Sequence, residues 1–487
     1  YKDIYYYYEE TLIVLLPTIL FILIGYIYVR WIQLKQYWSK RGVPQIPPHP
    51  FIGSMTFLQK ENPAIWFRRI YDSYKEPYVG IWIFWRPGLV VNSPDVAKNI
   101  LIKDHAYFKN RLATAGPSDP IGSLNLFAAD DPLWSAIRKR LSVLFTSSKL
   151  RGMQTLVTEK CKELSSGLIT DFTTDLIGTA SFGIVSDATL TGTSHVRVIT
   201  EQFMNYSFIR GLAWSLIFFA PELKSFPTES IEYMRKILRN VIAQRGGLES
   251  KVTEAKDLLD ILIKIKQQNG KYKTNSLLAA IFVQAGFDST GTVLTFAIYE
   301  LAFCPEAQGK LMEELEQAQE KHGENILDAK VLFELTYLNC IVNETLRKYP
   351  IMSWIDRVAL SDYKVDDNLT IKAGTPVFLN AVGMHYDPVY YPEPDRFNPD
   401  RFLPENADNI SPSAYLPFGG GPRKCIGQRI GESNICHGLA AIMMNYEIKP
   451  LPNTPQPSNL ELESKGLFIA PRDLLSVEFI PRKNLMK

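Results

Sequence analysis

The 487-residue sequence lacks a large excess of positive or negative residues and has no regular cysteine framework. Its 53 basic and 51 acidic residues give a formal charge of +2 without a charged cluster, so we expect no nucleic-acid partner. The five cysteines form no CxxC pair, and we expect them to remain reduced. No Gly/Ser-rich linker, acidic block or repeat divides the chain. We therefore predict one large domain behind a short N-terminal segment, with 46% hydrophobic residues available for its core.

Charge is also absent from residues 11–29, an apolar run long enough to cross a membrane. As a helix rising 1.5 Å per residue it would span about 28 Å, close to the thickness of the hydrocarbon layer. Arg30, Lys35 and Arg41 are among the basic residues that follow, and the positive-inside rule therefore places the rest of the chain in the cytoplasm. The alternative, a cleaved signal peptide, would have a shorter apolar region and a small-residue cleavage site. We therefore predict a single-pass membrane anchor at residues 1–30.

The chain beyond the anchor is predicted to be a short linker and a large, mainly α domain. Residues 31–54 are basic and rich in proline, which favours a semi-rigid linker, and the domain follows at 55–487. Residues 78–92 are β-branched and aromatic around a central Pro-Gly, which predicts a β-hairpin. Helical periodicity dominates from about 95 to 350, and a last apolar helix is predicted at 428–446. These signals together indicate a mainly α fold with a small β portion.

The most specific motif is the run PFGGGPRKCIGQRI at residues 417–430. Its three successive glycines allow the backbone to turn and to approach a flat group, with amides free to point at Cys425. A helix is predicted just after Cys425, and the dipole at its N-terminus favours a thiolate there. Arg423 adds a positive charge suited to a carboxylate. These features favour an axial ligand of an iron porphyrin, and the alternative is a buried structural cysteine.

This run resembles the haem-binding signature of the cytochrome P450 superfamily through Phe418, Gly421, Cys425 and Gly427. The likeness extends along nearly the whole chain. It implies a cytochrome P450 fold behind a single N-terminal transmembrane helix, with the haem-thiolate monooxygenase domain at residues 55–487. It also implies that haem b, which is iron protoporphyrin IX, is the cofactor and that Cys425 supplies the axial thiolate.

Other motifs extend the resemblance. Glu344 and Arg347 in NETLRKYP match the Glu-x-x-Arg pair of the family, and at this spacing they share one helix face. Arg401, in the segment 398–402, matches the arginine that completes their buried network. An earlier PDRF at 394–397 has the same letters, but the order of motifs in the family favours the second copy. Within the superfamily the chain resembles insect microsomal P450s of the detoxification type in FTTDLIGTASFGI (172–184), LFTSSKL (144–150) and AFCPEAQ (302–308).

The resemblance implies further haem-contacting residues around Cys425. Trp134 and Arg138 match a Trp-x-x-x-Arg helix whose members hydrogen-bond a haem propionate. Arg357 lies where relatives have another propionate-binding arginine, so with Arg423 there are three cations for two carboxylates. The implied set comprises Trp134, Arg138, Arg357, Phe418, Arg423 and Gly427.

The run at residues 277–304 is apolar on all faces and predicts a central buried helix. Burial of an acid and two hydroxyls inside such a helix costs free energy, so we expect these groups to serve a function. By family position Ala285 opens space beside the haem, while Asp288 and Ser289 match the acid–alcohol pair that delivers protons during dioxygen activation. The usual alcohol is threonine, whereas this chain has Ser289 followed by Thr290, which is turned about 100° around the helix.

Family position also implies an apolar substrate cavity that suits lipophilic molecules, and its lining is Phe127, Ala285, Trp354 and Phe468. The implied reaction inserts one oxygen atom from O2 into xenobiotics or endogenous lipids. The resemblance implies that NADPH supplies the electrons for this reaction. Since the chain has no GxGxxG, a separate protein must transfer them.

The implied partners are a membrane-bound NADPH–cytochrome P450 reductase and cytochrome b5, and the implied location is the endoplasmic reticulum membrane with the catalytic domain on its cytoplasmic face. Two alternatives remain. A haem-thiolate isomerase or dehydratase would need no external electrons, and a non-catalytic haem sensor would show no turnover.

Overall fold

The computed structural model is mainly helical with small sheets, which confirms the fold class predicted from the sequence. It describes residues 2–113, 126–142, 207–209, 236–237, 239–247, 259–260 and 277–482. The α-helices are α1 (Lys2–Ser39), α2 (Pro63–Ser73), α3 (Pro94–Lys98), α4 (Leu133–Ser142), α5 (Leu277–Phe303), α6 (Pro305–His322), α7 (Ala329–Glu334), α8 (Thr336–Lys348), α9 (Ala381–His385) and α10 (Gln428–Asn445). The strands are β1 (Tyr78–Ile83), β2 (Arg86–Val91), β3 (Ile355–Val358), β4 (Tyr363–Lys364), β5 (Thr370–Ile371), β6 (Pro376–Leu379), β7 (Tyr446–Pro450) and β8 (Val477–Pro481).

The largest sheet among the described residues joins strands from the two halves of the sequence. Its order is β1-β2-β6-β3, and two further sheets pair β4 with β5 and β7 with β8. β1 and β2 are antiparallel, with Tyr78 opposite Val91, which confirms the hairpin predicted at 78–92. β6 runs parallel to β2 and antiparallel to β3. The sheet thereby holds β3, which carries Asp356 and Arg357, in a fixed position relative to the N-terminal hairpin.

α5 is the central helix of the main hydrophobic core. Leu294 and Ile298, near its C-terminal end, are at most 1% exposed. They belong to one apolar cluster with Ile341 of α8 and Leu439 of α10. The helix predicted from the run at 277–304 is therefore present, and its C-terminal half is mostly buried.

α1 is the one helix among the described residues that is long and apolar enough to cross a membrane, over Pro17–Ser39. Its mean hydropathy there is 1.5, and most of the segment is exposed. Its last turns, however, belong to the domain, because Leu34 and Trp38 are buried against β1. A Cβ at Gly80 would lie 2.4 Å from Cγ of Trp38, so glycine makes room for the indole. The helix thus continues past the predicted anchor boundary at residue 30.

The proline-rich residues 43–54 lie along the same strand. The carbonyl of Pro44 accepts a hydrogen bond from the amide of Gly80 at 2.8 Å. The amide of Ser54 donates to the carbonyl of Trp82 at 2.7 Å. The segment that follows α1 is therefore hydrogen-bonded to the sheet.

Candidate active site

The cysteine motif forms a tight loop before α10. Gly421 has a φ of +68°, and a Cβ there would lie 1.8 Å from the carbonyl oxygen of Leu101. Only glycine permits this approach of the two backbones. The amide of Cys425 donates to the carbonyl of Phe418 at 3.0 Å and closes the loop. The helix predicted at 428–446 is α10, so Cys425 lies just before a helix N-terminus, where the dipole favours a thiolate.

Opposing effects act on the pKa of the Cys425 thiol. The side chain is exposed, yet enough protein surrounds the sulfur that desolvation raises its pKa. A hydrogen bond from the amide of Gly427 and the positive charges of Arg138 and Arg111 lower the pKa, and Glu432 raises it. A coordinating metal ion would deprotonate such a thiol outright. Burial outweighs the groups that lower the pKa and leaves the pKa of the free thiol above its usual value, so a bound metal ion would be what stabilises the thiolate.

Two buried guanidinium groups, those of Arg357 and Arg423, lie near one another without an ion-pair partner in the part of the chain that the structure describes. Arg357 is fully buried and Arg423 is 5% exposed. The Nε atoms of both have no hydrogen-bond partner among the described residues. Arg357 Nη1 donates to the Asp356 carbonyl and Arg423 Nη2 to the Ala129 carbonyl, each at 2.7 Å. Among the described residues, neutral backbone carbonyls accept the hydrogen bonds of both cations.

This arrangement disfavours the charge that both arginines carry. Burial, followed by the positive charge of Arg111, lowers the pKa of Arg423 to about 9. The same two causes, with a contribution from Arg423, hold the pKa of Arg357 well below its usual range. A buried cation is costly unless an anion accompanies it. The two propionates of a haem would supply that charge, so the residues present fit the cofactor.

The predicted Trp-x-x-x-Arg helix is α4, and its Trp134 lies against Arg423. Cζ of Arg423 lies 4.3 Å from the centroid of the Trp134 ring, which is a cation–π contact. Arg138 is half-buried; burial lowers its pKa, and the charge of Cys425 raises it. The structure therefore brings Trp134, Arg138 and Arg423 to the neighbourhood of Cys425. Their roles toward haem remain predictions.

Two other residues in this region, Arg111 and His105, could not be predicted from the sequence. Arg111 Nη1 lies 3.1 Å from Oδ1 of Asp356, and its Cζ lies 4.2 Å from the ring centroid of Phe127. The ring of His105 meets the ring of Trp134 edge-on at 6.1 Å. Burial and the nearby buried arginines lower the pKa of His105. Neither residue belongs to a recognisable motif, and only the tertiary fold brings them to the site.

The predicted Glu-x-x-Arg network is present as a set of contacts. Glu344 and Arg347 are fully buried and form two hydrogen bonds, at 2.7 and 2.9 Å. Arg401 Nε lies 3.5 Å from Oε1 of Glu344. Arg396, from the earlier PDRF copy, instead pairs with Glu393 at the surface. The second copy therefore makes the contact, as its place in the chain had indicated.

The predicted acid–alcohol pair lies within α5, whose backbone is helical through Ala285, Asp288 and Ser289. The side chains of Ala285 and Asp288 are outside the described residues. Ser289 is half-buried, whereas Thr290 is 3% exposed. Since neighbours on a helix differ by about 100°, the two hydroxyls face different directions. The proton relay remains a prediction.

The predicted cavity residues fall into one apolar region as far as they are described. Trp354 is 2% exposed and stacks on Phe67, with the ring centroids 5.3 Å apart. Phe127 is half-buried and packs against the same cluster. Phe468 is half-buried and follows Leu467 of that cluster. The structure thus brings Trp354 and Phe127 to one apolar cluster, and the contact of all the predicted residues with a substrate remains a prediction.

Comparisons with known proteins agree with this geometry. The family described as Cytochrome P450 matches residues 43–478. The chain is 32% identical to Cytochrome P450 6k1 of Blattella germanica, over 91% of this chain and 93% of that protein. It is 30% identical to Probable cytochrome P450 6g2 of Drosophila melanogaster (92% and 94% covered) and to Cytochrome P450 6B7 of Helicoverpa armigera (96% and 98% covered). The chain therefore belongs to the cytochrome P450 family of haem-thiolate monooxygenases, whose cofactor is haem b.

Proposed function

We propose that Cys425 ligates the haem iron of this monooxygenase and that the enzyme inserts one oxygen atom from O2 into lipophilic xenobiotics or endogenous lipids. The single observation that supports this most directly is the pair of buried arginines, Arg357 and Arg423, near the Cys425 loop without ion-pair partners among the described residues. A thiolate donor beside cations for two carboxylates is a suitable donor set for an iron porphyrin. Cys340 and Cys436, by contrast, are buried in the core, and desolvation raises the pKa of each to about 12.

Bound haem supplies the activation of dioxygen, and the chain orients it and controls its surroundings. Arg357 and Arg423 would pair with the propionates, and the ring of Trp134 would hold the guanidinium of Arg423 in place. Arg138 would add positive charge near the sulfur. The amide of Gly427 would donate a hydrogen bond to the thiolate. Phe418 would fix the loop through its carbonyl.

The proposed proton path uses α5. Ser289 would hold a water molecule that donates a proton, and Asp288 would replace that proton. The backbone of both residues lies in the helix that forms the centre of the core. A hydroxyl and an acid inside an otherwise apolar helix support this assignment, because such groups are costly without a role.

The proposed substrates are apolar because the residues assigned to the cavity are. Phe127, Ala285, Trp354 and Phe468 offer rings and a methyl group, which favour lipophilic molecules held with few directional bonds. Trp354 is fixed by its stacking on Phe67, so it would form a rigid part of the wall.

The proposed electron donor is a membrane-bound NADPH–cytochrome P450 reductase, with cytochrome b5 as a second donor. Lys424 and Arg429 flank Cys425 and are exposed, so an acidic partner surface would be attracted there. We place the protein in the endoplasmic reticulum membrane with the domain on the cytoplasmic face. Residues 1–30 would be the anchor, 31–54 the linker and 55–487 the catalytic domain.

Reconstitution tests this function. The full chain is combined with NADPH–cytochrome P450 reductase in phospholipid vesicles, and a panel of lipophilic compounds is supplied under isotopically labelled O2. We expect products that contain one labelled oxygen atom, formed only with both NADPH and reductase. Products formed without NADPH, or products whose added oxygen comes from water, would contradict the proposal.

A further inference from the structure

His385 connects two parts of the molecule that the sequence motifs treat separately. It is the last residue of α9 and is fully buried. Its Nε2 accepts a hydrogen bond from the amide of Leu416 at 2.9 Å. Its Nδ1 lies 3.0 Å from the carbonyl oxygen of Arg347, and Arg347 Nη1 donates back to the carbonyl of His385 at 2.9 Å. One imidazole thus contacts both the Glu344–Arg347 pair and the segment that enters the cysteine loop.

The two partners determine the protonation of the ring. An amide can only donate, so Nε2 must be the unprotonated nitrogen, and a carbonyl can only accept, so Nδ1 must carry the proton. Both ring nitrogens are therefore used, in one neutral tautomer. Burial lowers the pKa of His385 to about 3, and the charge of Arg347 also lowers it, which agrees with a neutral ring.

The hydrogen bonds continue from Leu416 to the cysteine. The carbonyl of Leu416 accepts from the amide of Gly419 at 3.1 Å, and the carbonyl of Phe418 accepts from the amide of Cys425 at 3.0 Å. We infer that His385 is a positioning residue: it holds the start of the cysteine loop at a fixed distance from the buried Glu344–Arg347 pair and thereby sets the position of the Cys425 sulfur. This inference rests on the proposed role of Cys425 as the iron ligand.

Two substitutions separate the two hydrogen bonds of the ring. His385→Asn places an amide nitrogen near the position of Nδ1, so it keeps the bond to Arg347 but does not reach Leu416. His385→Gln places an amide oxygen near the position of Nε2, so it keeps the bond to Leu416. His437→Asn is the matched control, because His437 is also fully buried but its Nδ1 contacts the Ser433 carbonyl within α10, at 2.6 Å.

The readouts are hydrogen–deuterium exchange at Leu416 and the Soret band of the reduced, carbon-monoxide-bound holoprotein. In His385→Asn we expect exchange at Leu416 to be about tenfold faster, as for loss of one buried hydrogen bond, and the long-wavelength band of thiolate ligation to weaken. In His385→Gln, both the exchange rate at Leu416 and the long-wavelength band should be closer to wild type than in His385→Asn. His437→Asn should leave both unchanged even if it lowers the unfolding temperature.

The inference is overturned if His385→Asn keeps the wild-type exchange rate at Leu416 or keeps the full long-wavelength band. It is also overturned if His437→Asn weakens that band equally, since any buried histidine would then have the same effect. Cys425→Ala, measured in parallel, tests the proposed function independently. If Cys425→Ala keeps the band, the ligand assignment has failed; if only His385→Asn keeps it, the positioning role has failed.

Discussion

The effect of Arg357 and Arg423 on stability depends on whether an anion lies beside them. A guanidinium buried without an anion destabilises a fold, whereas the same group paired with a carboxylate forms a strong, directional contact. Both are buried, and burial lowers the pKa of each. Haem propionates would reverse this effect and raise the pKa of both groups. The binding of haem and the protonation of these arginines are therefore linked.

Arg423→Leu should release haem faster than the wild-type protein. A hydrogen bond to a charged group contributes about 1.5–3 kcal/mol, so the dissociation rate should rise by about tenfold or more. The measurement is the rate of haem transfer from the holoprotein to a haem-free acceptor protein in excess. Arg396→Leu is the control, because Arg396 is an exposed arginine that pairs with Glu393 at the surface.

Equal transfer rates for wild type, Arg423→Leu and Arg396→Leu would show that Arg423 does not hold a propionate. Arg357→Leu, measured in the same way, reports on the second propionate. Loss of haem in both single variants but not in the control is the expected pattern.

Ser289 is expected to control how much of the supplied reducing power reaches product. Its hydroxyl lacks the methyl group that stiffens the side chain of threonine, so it should hold a water molecule less rigidly. Ser289→Thr should raise product formed per NADPH consumed, and Ser289→Ala should divert most electrons to peroxide with haem binding intact. Loss of a positioned proton-transfer group typically costs on the order of 10²-fold in the chemical step.

Product, NADPH and peroxide are measured together for each Ser289 variant, with Thr290→Ala as the neighbouring control. If Ser289→Ala remains coupled while Thr290→Ala produces peroxide, the relay uses Thr290, whose side chain is the more buried of the two.

At the scale of secondary-structure elements, the end of α1 and the strand β1 form one packed unit. Trp38 fills the space left by Gly80, and its Nε1 donates to the carbonyl of Ile81 at 3.2 Å. Leu34, one turn earlier, is buried in the same cluster. The apolar residues 17–29, which precede these two, are exposed. We therefore propose two functions for this helix: its apolar part anchors the protein in a membrane, and its end stabilises the domain by packing on β1.

Two truncations distinguish these functions. Deletion of residues 1–30 should release much of the protein from membranes and leave haem incorporation intact, because Leu34 and Trp38 remain. Deletion of residues 1–42 also removes Trp38, and loss of a buried tryptophan costs about 3–5 kcal/mol. The measurements are the membrane-bound fraction, haem content and the midpoint of urea unfolding.

The protein lacking residues 1–42 should therefore unfold at a lower urea concentration, and incorporate less haem, than the protein lacking only residues 1–30. If both truncated proteins unfold at the same urea concentration, the packing of Trp38 against Gly80 contributes nothing to stability. Loss of haem already in the protein lacking residues 1–30 would show that the apolar run belongs to the folded domain.

Elements with a strong local pattern could be predicted from the sequence, and those made by distant pairing could not. The all-apolar run of α5, the helix α10 and the hairpin β1–β2 each have a periodicity that is visible within the segment itself. The parallel pairing of β2 with β6 depends on contacts between distant parts of the chain, which leave no local signal. The extension of α1 to Ser39 depends in the same way on Gly80, a residue of another element.

The same distinction applies to the candidate site. Cys425 and the Glu344–Arg347 pair lie in motifs whose spacing is specific, so the sequence was sufficient to select them. His385, His105 and Arg111 reach the site only through tertiary packing. His385 in particular lies 2.9 Å from the amide of Leu416 although no short motif contains both. Side chains that join separate segments in this way can be identified only from the three-dimensional structure.

At the scale of the whole molecule, three parts contribute to the proposed reaction centre. The sheet carries Arg357, the helical core carries the Glu344–Arg347 pair and α5, and the loop before α10 carries Cys425. The hydrogen bonds of His385 and of Arg347 join the core to the loop. An apolar N-terminal helix packs on the sheet, so the pose of the domain at a membrane would follow the direction of that helix.

The central claim of this account, that Cys425 supplies the thiolate ligand of the haem iron, is tested by the absorption spectrum of the reduced protein under carbon monoxide. Wild type and Cys436→Ala, in which a buried core cysteine is replaced, should both show the long-wavelength Soret band of thiolate ligation. Cys425→Ala should lack this band even where some haem remains bound. If Cys436→Ala loses the band and Cys425→Ala retains it, the claim is wrong.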